Sequence, residues 1–197
     1  MKLDSPHMIP LLLAAGGLLL LSSRRASTFS VYAGIPFTEK DVDATARMLI
    51  AETSFFRDPE EMAQIVWVAI NRAKQKGNPV FMATTPPGVP NWNASEPYRR
   101  MWVNGHNNPR FEAAKDFVRN ILLGKPAATS KSPAKLRPNR IGNRVQFLHP
   151  HGMKKCTTSA DCGGRTCEQT IKGPRCLPGW STTAQRNVVT IGGARFS

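Results

Sequence analysis

Ala46-Arg47-Met48-Leu49-Ile50-Ala51-Glu52-Thr53 is the stretch on which the reading of this chain turns. It has the pattern of the end of an amphipathic helix. With the helical period started at Val42, Ala46, Leu49, Ile50 and Thr53 fall on one side, and Lys40, Asp43 and Arg47 on the other. Glu52 belongs to neither pole. It sits at the edge of the apolar stripe, one turn from Met48 and Leu49 and one turn before Phe56. A carboxylate held there is half out of water. Desolvation favours its protonated form and raises its pKa, which is what a general acid needs. A solvated Glu near a helix end is the plainer reading, and spacing alone weighs the two equally.

The flanking sequence supplies helix boundaries. Thr38-Glu39-Lys40-Asp41 resembles a capping box with Asp in place of the usual Glu, so the Glu52 helix starts there. Asp58-Pro59-Glu60-Glu61 is a second start, with Asp as N-cap, Pro in the first turn and acids behind it. Met62, Ile65, Val66, Ala69, Ile70 and Ala73 continue it, and Gly77 ends it. Trp67 lies on the opposite face with Gln64 and Asn71, so this helix is contacted on several sides and is expected at the centre. Asn71 and Arg72 near its end have the reach to bond loops or substrate, and bracing is the commoner role for both. Residues 77–107 form a long Pro/Gly/Asn/Trp-rich loop, a type of segment that often carries function. Its Trp92, Tyr98 and Trp102 are candidates for stacking on sugar rings, or simply pins to the core. Asn108-Pro109 opens a third helix with Phe111, Ala114, Val118, Ile121 and Leu122 buried and Gly124 as its stop. Residues 125–143 show no periodicity and read as a basic surface loop.

Composition narrows the partners. Lys and Arg number 27 against 13 acids, a net charge of +14, so the natural partner is polyanionic: nucleic acid, anionic lipid or an acidic wall polymer. Met8 to Leu21 is an apolar run, flanked by Lys2 and by Arg24-Arg25. It is short of the roughly 20 residues of a spanning helix, and no clean small-residue cleavage site follows it, so residues 1–25 read as an N-terminal anchor in preference to a cleaved signal. Residues 26–37, polar with Gly34 and Pro36, read as a linker. Arg24-Arg25 argue for a cytoplasmic C-terminal side, whereas the cysteines argue for an outside one. The cysteines are given more weight here. A protein carried on a membrane or virion to a host surface reconciles the two.

Cys156, Cys162, Cys167 and Cys176 lack the paired Cys-x2-Cys of zinc ribbons and lie in turn-rich sequence. A two-disulfide insert over residues 154–177 is the better reading. Of the three pairings that four cysteines allow, the crossed one, Cys156–Cys167 with Cys162–Cys176, is favoured. Val145 to His151 reads as a short strand ending His149-Pro150-His151, and Asn187 to Phe196 as a hairpin turning at Gly192-Gly193.

Taken in order, Ala46 to Glu52, Val68-Ala69-Ile70-Asn71-Arg72, the aromatic-then-His-x-His step, Pro178-Gly179-Trp180 and Ile191 to Phe196 resemble the SleB-like (spore-cortex-lytic type) cell-wall hydrolases. The resemblance spans roughly residues 39–124 and 145–197. It implies an α+β, lysozyme-like, mainly helical catalytic domain over residues 38–197, with a small C-terminal β-hairpin. It also implies a lytic transglycosylase that cleaves peptidoglycan glycan strands with one Glu as general acid and base. Glu52 matches that Glu, His149 and His151 match the cleft His pair, and Trp180 matches the Trp before the last hairpin. Three departures stand out. Thr53 to Arg57 replaces the usual Ala-Arg-Gly-Glu continuation, the middle loop lacks the Gln-Phe-Ser step, and the cysteine insert separates the His pair from Trp180, with Pro150 in place of an aromatic.

The expected site is therefore Glu52 as catalyst, with His149, His151, Trp180, Asn71 and Trp92 on the substrate. Glycosidases generally use two carboxyl groups, whereas a lytic transglycosylase needs one. Near Glu52 in sequence stand only Asp58, Glu60 and Glu61, all suited to capping and first-turn charge; Glu60 is the one to watch as a second carboxylate. His-x-His alone offers too few ligands for a metal, and no cofactor motif, P-loop or Ser-His-Asp spacing is present. The expected partners are peptidoglycan and, through the anchor, a membrane, with the domain outside the cytoplasm or on a virion. The competing reading is a non-catalytic basic protein of the envelope or virion that binds wall polymer or nucleic acid. Nucleic acid is the weaker partner, because the bases form no single helical stripe.

Overall fold

Asp41 shows how the first helix is seated. In the computed structural model, which describes residues 28–53, 58–85, 100, 102–129, 132–148, 153–170, 173–182, 188–191 and 194–197, Asp41 is a buried carboxylate with three donors. Its Oδ2 accepts the Thr38 N–H and hydroxyl, each at 2.7 Å, and its Oδ1 accepts the Phe81 N–H at 2.8 Å. The capping residue thus also ties helix α1 (Glu39–Thr53) to the short helix α3 (Val80–Thr84). The buried face of α1 is wider than the stripe read from sequence. It takes in Ala44, Thr45 and Met48 as well as Val42, Ala46, Leu49, Ile50 and Thr53.

Helix α2 (Pro59–Lys76) is the central element. Asp58 accepts the Glu60 N–H at 2.8 Å, and Gly77 closes the helix in the left-handed region at φ 64°. Every residue from Glu61 to Asn71 is buried, so the helix is surrounded as expected. Glu61 itself is buried at 2% exposure, more than a first-turn surface charge would be. Helix α4 (Phe111–Leu123) packs on α1 with Phe111, Ala114, Phe117, Val118, Ile121 and Leu122. It stops at Gly124, where φ is 67° and a Cβ would come within 2.5 Å of the Tyr32 ring. Glycine is required there twice over, by backbone conformation and by space.

The strands are short and all pairings among the described residues are antiparallel. β1 (Thr28–Ser30) pairs with β2 (Ile35–Phe37), and β3 (Ala127–Thr129) with β4 (Ser132–Lys135). β6 (Thr166–Thr170) pairs with β7 (Gly173–Leu177). β5 (Phe147–Leu148), β8 (Val189–Ile191) and β9 (Ala194–Phe196) form one sheet in the order β5-β9-β8, which contains the C-terminal hairpin read from sequence. The chain is thus of mixed helix and strand, as expected.

Three segments differ from expectation. Residues 77–107, read as one long loop, hold helix α3 and a 3-10 turn at Asn104–Asn107. Residues 28–37 are not a linker. They form the β1–β2 hairpin, whose Ala33 and Phe37 belong to the core and whose Tyr32 ring lies 5.4 Å from that of Trp67. The Ser30 hydroxyl donates to the Leu122 carbonyl, closing the hairpin onto α4. A chain shortened to begin at residue 35 is therefore expected to lose on the order of 3 kcal/mol, from one buried hydrogen bond and the burial of Tyr32 and Ala33. One beginning at residue 26 should keep full stability, and urea unfolding of the two compares them directly.

Residues 125–143 are largely exposed, as read from sequence, but they carry the β3–β4 hairpin and are anchored to the body. After the β3–β4 hairpin, residues 136–146 run as a strap along the polar side of α2, with Arg137 and Ile141 buried. Gln64 Nε2 donates to the Pro138 carbonyl at 3.0 Å, and its Oε1 accepts the Arg140 N–H at 2.9 Å. Trp67 donates to the Arg137 carbonyl at 3.1 Å. A strap without a strand partner has unpaired peptide groups, and these side chains satisfy them.

The insert holds two disulfides, Cys156–Cys167 and Cys162–Cys176, the crossed arrangement favoured above. No helix among the described residues is long and apolar enough to cross a membrane, and the apolar run Met8–Leu21 lies outside them.

Candidate active site

Glu52 lies one residue from the end of α1, with Thr53 and Leu49 buried beside it. The Thr53 hydroxyl donates back to the Leu49 carbonyl at 2.7 Å, the i−4 bond that a Thr makes within a helix. Glu52 is itself half-buried. Burial pushes its pKa up to about 7, and the positive charge of Arg72 on α2 pulls it partly back. Two opposed effects therefore leave the carboxyl group close to half-protonated at neutral pH. That condition suits a group that must give a proton in one step and take one in the next.

Arg72 and Asn71, near the end of α2, bind the chain that follows the β3–β4 hairpin. Asn71 Nδ2 donates to the Gly142 and Arg144 carbonyls at 2.6 and 2.8 Å, and Arg72 Nε donates to the Val145 carbonyl at 2.5 Å. Both amide hydrogens of Asn71 are thus engaged with the strap, the bracing role set beside substrate binding above. Val145 leads into β5, and β5 ends at Leu148, immediately before His149. The α2 residues thus fix the chain up to the start of β5.

His149, His151 and Trp92 lie outside the described residues, as does Tyr98. Trp180 falls in the 3-10 turn Gly179–Ser181. Trp102 is pinned to the body: its indole N–H donates to the Thr84 carbonyl at 3.1 Å, and the Arg47 guanidinium stands 5.3 Å from its ring. Arg47 in turn is paired with Asp43 at 2.8 Å.

Glu60 is engaged elsewhere. Its Oε1 accepts the Gln64 amide at 3.1 Å and lies 3.8 Å from Arg140, and its Oε2 lies 4.0 Å from Arg137. It holds the strap. Asp58 caps α2. Sequence reading missed the strap and the electrostatic part played by Arg72. The signal was present: Gln64, Trp67 and Asn71 recur on one face of an otherwise apolar helix, and buried polar groups demand partners. Comparison of the chain with protein-family models, curated proteins and solved structures gives no match.

Proposed function

We propose that the protein cleaves the glycan strand of peptidoglycan as a single-carboxylate lytic transglycosylase. The observation that carries this reading is Glu52: a half-buried carboxyl group at the end of α1 with a pKa near 7. Motif order supports it, through the resemblance to SleB-like wall hydrolases, and so does the engagement of Asp58 and Glu60 in holding the fold.

In the first step protonated Glu52 gives its proton to the glycosidic oxygen as the bond from that oxygen to the anomeric carbon breaks. The departing sugar leaves with a free hydroxyl. The carboxylate left behind is stabilised by the Arg72 charge. In the second step the substrate's own 6-hydroxyl oxygen closes onto the anomeric carbon and its proton passes to Glu52. Glu52 ends protonated, no water is consumed, and the product is a 1,6-anhydro sugar. One carboxyl group with an intermediate pKa performs both transfers.

The pH–rate profile tests this assignment. The reaction needs Glu52 protonated, so kcat/KM is expected to fall as pH rises through about 7. Replacing Arg72 by Met removes a cation that favours the carboxylate, so the falling limb should move to higher pH, whereas Arg72→Lys should leave it nearly in place. A limb that stays put in Arg72→Met, with the fold intact, would remove Arg72 from the electrostatics of the site.

A further inference from the structure

The positive charge of this chain is unevenly placed. Residues 125–197 hold thirteen Lys and Arg against two acids, Asp161 and Glu168. On the helices several bases are matched: Arg47 with Asp43, Lys115 with Glu112, and Arg119 with Glu39 and Asp116. In the disulfide lobe the two acids are turned to internal tasks. Glu168 Oε1 lies 2.8 Å from Arg195 Nη1 on β9, and both side chains are largely buried. Asp161 Oδ2 accepts the N–H groups of Thr157 and Thr158, at 2.7 and 2.8 Å, which hold its pKa below the usual carboxylate range.

What remains on the lobe surface is basic. Lys154, Lys155 and Arg165 are exposed. Lys154 Nζ donates to the Asp161 carbonyl at 2.7 Å. Among the described residues Lys155 and Arg165 have no carboxylate partner. Lys154 and Lys155 line a shallow concavity of about 570 Å³, together with Cys156, Thr157, Asp161, Gly173 and Pro174. Among its described residues the lobe buries only Cys162, Cys176 and Leu177, so it has almost no apolar core and is held in shape by its disulfides. Such a module is pre-organised, and a ligand meets no ordering cost in the backbone. Its described residues include no exposed large apolar side chain that would mark a protein-docking patch.

We infer that the disulfide lobe is a polyanion-binding module that docks the protein on a phosphodiester-bearing polymer of the cell envelope, through Lys154, Lys155 and Arg165. Lysines serve as point charges for phosphate, and a flexible chain of evenly spaced phosphates suits scattered basic groups better than one fixed fork does. Disulfides belong to oxidising compartments, which favours an envelope polymer over DNA as the occupant. The choice of an envelope polymer rests on the cleavage reading; the binding itself does not.

The test measures binding of the full chain to poly(glycerol phosphate) by calorimetry over a series of salt concentrations, in the Glu52→Gln background, so that a failure of catalysis leaves the result readable. Binding should weaken steeply with salt. Lys155→Glu combined with Arg165→Glu should lower affinity at least about tenfold and flatten the salt slope by about 0.7 for each phosphate no longer neutralised. Lys115→Glu, on α4, should change neither. Mass analysis of the two disulfides checks that the variants are folded. Absence of binding by the parent chain, unchanged binding in the double variant, or equal weakening in Lys115→Glu would overturn the proposal. Tighter binding of duplex DNA than of poly(glycerol phosphate) at equal phosphate and salt would overturn the envelope polymer as occupant.

Discussion

Glu52→Gln is expected to lower glycan cleavage by about 10²–10⁴-fold, the range that general acid–base catalysis supplies, or by more if the same group also acts as base. The amide keeps the shape of the side chain but neither delivers nor accepts the proton. Substrate binding should persist, since no other group is altered. Stability should change as well, and the sign follows from linkage. Folding raises the Glu52 pKa from 4.5 to about 7, so the folded chain binds more protons than the unfolded chain between those values. Stability contributed by this group is therefore greatest below pH 4.5, falls as pH rises to about 7, and is level above it. At pH 8 the wild type carries the full cost of a half-buried carboxylate, on the order of 2–3 kcal/mol after allowance for partial exposure. Glu52→Gln should then be more stable than wild type at pH 8 and nearly equal at pH 4. Thermal unfolding at the two pH values measures the difference. Full cleavage activity in a folded Glu52→Gln protein would end the catalytic assignment.

The second large effect is structural. Arg195 is 6% exposed and Glu168 reaches it from the disulfide lobe at 2.8 Å, while the Ser181 carbonyl accepts from the same nitrogen at 2.8 Å. Arg195 also stands opposite Leu148 in the β5–β9 register. One guanidinium thus joins the lobe, the turn of Trp180 and the strand that ends just before His149. Glu168→Ala leaves that charge buried without its counter-ion. The expected destabilisation is near the low end of the about 3–5 kcal/mol that follows from breaking a buried pair, because the Ser181 carbonyl still accepts. Adding Arg195→Met should restore much of it, since a buried pair replaced by apolar side chains is often neutral. Urea unfolding of the single and double variants gives the coupling. A destabilisation below about 0.5 kcal/mol in the single variant, typical of a surface pair, would contradict this role.

Much of this arrangement was legible in the residues, for local reasons. Asp58-Pro59 and Gly77 mark the ends of α2 because capping chemistry depends only on neighbours in sequence. The edge position of Glu52 followed from helical periodicity, and its half-buried state agrees. Disulfides were expected because the four cysteines lie in one short, turn-rich segment, and the crossed pairing was favoured as one common in small stapled modules; the structure has that pairing. What was not legible depends on residues distant in sequence. Gly34 and Pro36 suggest a linker until Tyr32 meets Trp67 and Ser30 meets Leu122. The strap has no period of its own, because its backbone is satisfied by Gln64, Trp67 and Asn71, some seventy residues earlier. Arg72 looked like a brace and is one, but its charge on Glu52 appears only when α1 and α2 are packed.

The most direct test is mass spectrometry of the products released from purified peptidoglycan by the wild type and by Glu52→Gln. A single-carboxylate transglycosylase should release 1,6-anhydro-muramyl fragments, and Glu52→Gln should release almost none. Reducing-end sugars from the wild type would mean that water is the nucleophile and that a second carboxylate takes part. No glycan cleavage by the folded wild type would contradict the account as a whole.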